Sequence, residues 1–107
     1  DHRLVELALT GSPEALSILR RVRLAPFTAL PASQAGRLLE TLESWLRHWG
    51  SRSSVASELF VHPQTVSYRI RRLRELLGDD LDDSRTRLEL QLVLAGRQQS
   101  PAVVASR

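Results

Sequence analysis

Between Pro63 and Leu77 the chain carries one apolar stripe that constrains how everything around it can fold. Val66, Ile70, Leu73 and Leu77 recur at i, i+4, i+7 and i+11, the repeat of one face of an α-helix. Pro63 suits the first helical position, where its fixed φ helps and its missing N–H costs nothing. At about 100° per residue, Gln64, Tyr68, Arg71 and Glu75 fall on the opposite face, with Ser67 and Arg72 flanking them. Arg69, Arg71, Arg72 and Arg74 add four positive charges within six residues. The spacing predicts a helix that buries one side and presents a polar, basic one.

A shorter helix is predicted just before it, over about Arg52 to Leu59, with Ser51 as its N-cap. Val55, Ala56 and Leu59 share one side. Ala56 lies where the two helices would cross, and a small residue there lets the backbones approach. Val61 follows in the turn and points back to the core. A small residue, an apolar turn residue and an apolar residue four positions into the second helix make the pattern of a helix-turn-helix. Many such turns carry Gly where this one has Phe60.

The major groove of B-DNA, about 12 Å wide, admits one α-helix. Short polar side chains early in that helix reach base edges. Its later turns and the bracing helix's N-terminus meet phosphates, which favour Arg, Ser and backbone N–H groups. The expected interface therefore comprises Ser51, Arg52, Ser53, His62, Pro63, Gln64, Thr65, Ser67, Tyr68, Arg69, Arg71 and Arg72. Gln64 and Ser67 are the base-reading candidates. The bland alternative is a helical hairpin with a solvated arginine face.

Leu59-Phe60-Val61-His62, then Thr65-Val66, then Tyr68-Arg69-Ile70 resembles the C-terminal domain of PucR-type regulators, which include purine-catabolism and carbohydrate-diacid regulators. Leu81-Asp82-Asp83, Arg87 and Leu90 resemble that family's closing segment. The resemblance covers roughly Leu38 to Ala95. Gln64 stands where the family usually has Asn, and Ser67 where a basic residue is common, so the preferred DNA sequence is expected to differ. The resemblance implies a cytoplasmic bacterial transcription regulator that senses a metabolite through a part absent from this chain.

The rest of the chain reads as further helices. Ser12 and Pro13 open one running to about Val22, which should bury Ala15, Ile18, Leu19 and Val22. Arg20, Arg21 and Arg23 form a second basic cluster, read as a solvated helix end. Ala25 to Pro31 holds two prolines and is expected to be irregular, pinned by Phe27 and Leu30. Ser33 is read as the N-cap of a helix from Gln34 to about Trp49. Its stripe is Leu38, Leu39, Leu42, Trp45, Leu46 and Trp49, with Glu43 and Arg47 paired outside and Gly50 at the end. Gly78 closes the arginine-bearing helix. Asp82 and Asp83 should favour the positive N-terminus of a last helix from about Ser84 to Gly96.

These elements predict an all-α helix-turn-helix domain with additional flanking helices. Residues 1–32 read as an N-terminal helical segment or the end of a preceding domain, 33–97 as the DNA-binding domain and 98–107 as a flexible tail. The apolar fraction of 42% is that of a globular protein. The net charge of +3 argues only weakly for a polyanion partner; the basic run at Arg69 to Arg74 argues more. With no cysteine there is no disulfide and no thiolate metal site. His2, His48 and His62 lack zinc spacing, and Leu81 breaks the alternation of acids that a calcium loop needs. No phosphate loop or nucleophile elbow is present. No enzyme activity, metal or cofactor is therefore expected, and the location is read as cytoplasmic.

The chain has no methionine and begins DHRLVELAL, which suggests the excised C-terminal piece of a longer protein. The partner is expected to be double-stranded DNA. A function from another class stays open: a helical interaction or dimerisation module without DNA binding. A homodimer is a second expectation, because one helix-turn-helix contacts few base pairs. The last helix is apolar nearly all round, so it needs cover from Leu4–Val22 or from a second chain through Leu90 and Leu94.

Overall fold

The computed structural model describes the backbone of residues 2–105 and the side chains of residues 3–95. Among the described residues there are six α-helices and no strand: α1 (His2–Leu9), α2 (Pro13–Leu24), α3 (Ala32–Arg47), α4 (Arg52–Leu59), α5 (Pro63–Leu77) and α6 (Ser84–Ala105). Short 3-10 turns over Ala25–Phe27 and Gly78–Asp82 join α2 to α3 and α5 to α6.

The core forms where α3, α5 and α6 meet. Leu42 from α3, Val66 and Leu73 from α5 and Leu90 from α6 are fully buried, together with Val55 from α4 and Leu81 from the second 3-10 turn. The helices α3, α4, α5 and α6 each give apolar side chains to this centre, while the buried residues of α1 and α2 lie outside it. Phe27 is buried in the same cluster, with Leu24 and Leu30 against it, which pins the proline-bearing connection as expected. On the far side α2 covers α6, and α1 leans on α2. There Arg23 Nε donates to Glu89 Oε1 at 2.6 Å, and Glu89 is only 1% exposed. A carboxylate taken out of water this far needs such a partner.

Several expectations change with tertiary packing. The α3 helix starts at Ala32, with Pro31 at its N-cap and no side-chain cap, so Ser33 lies inside the first turn rather than capping it. The turn from Phe27 to Leu30 delivers the chain early, and Ala35 N already donates to Pro31 O at 2.9 Å. At the other end the helix stops at Arg47. Trp49 takes φ 55° and Gly50 φ 82°, which swings Trp49 out to 89% exposure instead of burying it in the stripe. Gly50 N donates to Trp45 O at 3.0 Å, closing the helix end. Only glycine adopts that φ without strain.

In α2 the inward line is the buried Ala15 and Leu19 and the half-buried Arg23, at i, i+4 and i+8, so Val22 sits to one side of it and is exposed. Ser12 does cap α2, accepting from Ala15 N at 3.2 Å. Asp83 accepts from Thr86 N at 2.9 Å and so caps α6 as expected. Asp82 does not; it accepts from Arg74 Nη1 at 3.0 Å. The α6 helix runs past Gly96 to Ala105. The expected tail, 98–107, lies outside the residues whose side chains are described. Leu90 and Leu94 are 0% and 1% exposed within one chain. They are covered intramolecularly, and a two-fold contact through them is overturned.

Candidate nucleic-acid interface

The α4 and α5 helices form a helix-turn-helix whose two starts are fixed by side-chain caps. Ser51 accepts from Ser54 N at 3.3 Å and donates to Ser54 Oγ at 3.0 Å, which starts α4 at Arg52. His62 Nδ1 accepts from Gln64 N at 3.1 Å, which starts α5 at Pro63. That bond requires a bare Nδ1, so in the neutral ring the proton sits on Nε2. Between the helices Phe60 is in the left-handed region, φ 58° and ψ 45°, and its N–H donates to Ala56 O. This is the position where glycine is usual, and here Phe adopts the same backbone with its ring 94% exposed.

The crossing is tight. Ala56 is 5% exposed, and Val55 and Val66 are fully buried. A junction at the end of α3 holds α4 in place. Glu58 Oε1 accepts from Ser44 Oγ at 2.5 Å, Arg47 Nη2 at 2.8 Å and, at 3.2 Å, faces His48 Nε2. The Ser44 hydroxyl above all holds the Glu58 carboxyl below its ordinary range; burial opposes it, and the Arg47 guanidinium and His48 add to the lowering. Arg47 also forks onto Glu43, at 2.5 and 2.9 Å, and that bond above all raises its pKa.

Braced in this way, α5 turns Val66, Ile70 and Leu73 inward and leaves Gln64, Tyr68 and Arg71 exposed. Arg71 lies over the Tyr68 ring, 5.8 Å from its centroid, a cation–π contact between adjacent exposed side chains. Ser67 and Thr65 are half-buried on either flank. Arg72 is half-buried and pairs with Glu75 at 2.7 Å. Arg69 is turned aside toward α3, its Nη1 donating to Thr41 Oγ1 at 3.2 Å. Arg74, outside the expected interface, leans on Trp45 and Asp82.

The twelve expected residues thus fall into three groups. Arg52, Ser53, His62, Pro63, Gln64, Tyr68 and Arg71 are exposed at the two helix starts and along α5. Thr65, Ser67, Arg69 and Arg72 flank that face. Ser51 is half-buried, with its hydroxyl engaged in the cap. One neighbour escaped the sequence reading: Arg37 of α3 lines a groove with Thr65, Tyr68, Arg69 and Arg72. Arg37 is exposed while Thr41, one turn on, is fully buried, and no spacing in the sequence brings that edge of α3 beside α5.

Among the described residues no three acids or histidines gather as a metal site, and no helix is long and apolar enough to cross a membrane. Residues 38–95 match the family model of the PucR C-terminal helix-turn-helix domain. The chain is 38% identical over 71 residues to the proline-responsive transcriptional activator PutR of Bacillus subtilis, a match covering 66% of this chain and 17% of that protein. It is 39% identical over 59 residues to the carbohydrate diacid regulator of Escherichia coli, covering 55% of this chain and 15% of that one. With the purine catabolism regulatory protein of Bacillus subtilis it shares 42% identity over 57 residues, 53% of this chain and 11% of the other. The matched stretch therefore spans less than a fifth of each of these relatives. No solved structure matches the chain.

Proposed function

The chain belongs to the family of PucR C-terminal helix-turn-helix domains, and from that premise we propose that it binds double-stranded DNA in a sequence-specific manner, as the C-terminal domain of a bacterial transcription regulator. The observation that carries this reading is the exposed face of α5, where Gln64, Tyr68 and Arg71 stand clear of the protein above a capped and buried brace. In this reading α5 lies in the major groove. Gln64 and Ser67 face base edges, and Gln can pair bidentately with adenine. Arg52, Ser53, Thr65, Arg71 and Arg72 meet phosphates, as do the N–H groups at the start of α4 that Ser51 orients. His62 sets the entry of α5 by its cap and turns Nε2–H outward, and Pro63 keeps the first turn rigid.

Residues 33–97 form the DNA-binding unit in this proposal, and 1–32 lead into it. The whole regulator works in the cytoplasm, recognises its effector through another part and performs no catalysis. Two copies bind half-sites about 34 Å apart. A gel shift on duplex DNA at two salt concentrations tests the reading. Binding should weaken steeply with salt, each neutralised phosphate contributing a slope of roughly −0.9 in log K against log salt. Arg71→Ala should flatten that slope. No affinity for any duplex, or an affinity indifferent to salt, would leave the domain as a helical interaction module.

A further inference from the structure

We propose that the groove between the first turns of α3 and the flank of α5 is a second seat for the DNA backbone, holding a phosphate that flanks the stretch read by α5. The proposal rests on the DNA-binding reading and extends it to an element outside the helix-turn-helix. The groove encloses about 480 Å³ and is lined by Arg37, Arg69 and Arg72, with Ser33, Gln34 and Tyr68 among its other walls. Three arginines line it and no carboxylate does. Like charges gathered in one recess repel unless an anion sits between them, so the groove is complementary to a phosphodiester.

The arrangement is held in place rather than left to loose side chains. Thr41, fully buried, donates its hydroxyl to Arg37 O at 2.9 Å and accepts from Arg69 Nη1 at 3.2 Å. One hydroxyl thereby aims the Arg69 guanidinium at α3 and ties it to the backbone of Arg37. Among the described residues neither Arg37 nor Arg69 is paired with a carboxylate. In the Arg72 pair with Glu75 the carboxylate is 56% exposed, and ion pairs open to water contribute little.

Continuity decides between a phosphate of the duplex and a free anion. Tyr68 belongs both to the groove wall and to the exposed face of α5, and Arg72 joins the groove wall to the flank of that face. A duplex lying on α5 therefore brings its own backbone to the mouth of the groove. Arg37 and Arg69 then add contacts that carry no sequence information but fix the register.

The test is the salt dependence of duplex binding for wild type, Arg37→Ala and Arg71→Ala. Arg37 is exposed, so its variant should keep the wild-type circular dichroism and melting curve. Arg37→Ala should weaken specific and random duplexes by the same factor and make the slope shallower by roughly 0.9, the share of one phosphate. Arg37→Lys should restore most of the slope. A duplex carrying a neutral methylphosphonate at the flanking position should bind wild type more weakly and Arg37→Ala no differently. An unchanged slope in Arg37→Ala, with a shallower one in Arg71→Ala, would put the groove off the DNA path and leave the DNA reading intact. Inorganic phosphate shifting the Arg37 and Arg69 side-chain NMR signals, with DNA affinity unaffected by Arg37→Ala, would make it a free-anion site and overturn the proposal. No duplex binding by wild type would overturn the reading beneath it.

Discussion

Phe60 carries two burdens that its own chain does not relieve: a left-handed backbone at φ 58° and a ring 94% exposed. Left-handed helical geometry costs an ordinary residue about 1–2 kcal/mol. Glycine removes that, but its looser unfolded chain offsets about 0.5–1 kcal/mol. Phe60→Gly should therefore raise the melting temperature by a few degrees, which a thermal scan measures. Gln64 bears on specificity instead. Gln64→Ala should lose about 1–3 kcal/mol of discrimination at one base pair while random-sequence affinity changes little. Binding selections from random DNA with both proteins would show it, and equal losses on all sequences would make Gln64 a positioning residue. The sequence showed that a turn lay at Phe60 and that His62 stood at a helix start. It did not show that the imidazole itself makes the cap, because histidine is not among the usual capping residues.

For whole helices, the periodic stripes were legible and their ends were not. The burial of Val66, Ile70 and Leu73 and the start of α5 follow from spacing and from Pro63 alone. The exposure of Trp49 and Val22 depends on where a helix stops or how it rolls against a neighbour, and that is decided by partners distant in the chain. Ile70→Ala should destabilise the domain by about 2–5 kcal/mol, a large share of what holds a chain of this size together. Ala56→Leu should cost about 1–3 kcal/mol by overpacking the α4–α5 crossing. Chemical denaturation checks both.

Acid should loosen the same junctions. The Glu58 carboxyl is held below its ordinary value by Ser44 and Arg47, and that of Asp83 by the Thr86 N–H and hydroxyl. A carboxylate with a depressed folded pKa adds stability above its unfolded pKa and loses it as pH falls through the folded one. Stability should thus decline as pH drops below the ordinary carboxylate values of 4.5 for a glutamate such as Glu58 and 3.8 for an aspartate such as Asp83. In Glu58→Gln the decline should be shallower.

At the scale of the molecule, α2 and α6 close the core without a second chain. Leu90→Glu and Leu94→Glu should unfold the domain rather than dissociate a dimer. Sedimentation paired with circular dichroism would separate the two results. A folded monomer from either variant would mean that α6 is less buried than its 0% and 1% exposures indicate. The all-α class was readable because the stretches that became α3 and α5 carried clear stripes at a period near 3.6 residues and the other helices had start signals at Ser12, Ser51 and Asp83. The groove at Arg37 was not, since it arises only when α3 and α5 are brought side by side.

The two tryptophans stand in opposite surroundings. Trp45 is 7% exposed, with the guanidinium carbons of Arg74 and Arg87 at 5.9 and 5.2 Å from its ring. Trp49, four residues on, is 89% exposed. The domain therefore carries a pair of built-in optical reporters. Blue-edge emission belongs to Trp45 and follows the integrity of the core. Red-edge emission belongs to Trp49 and is open to quenching by iodide. Any macromolecule that settles on the end of α3 should shield that second signal and leave the first unchanged, so occupancy of this surface can be followed without a label.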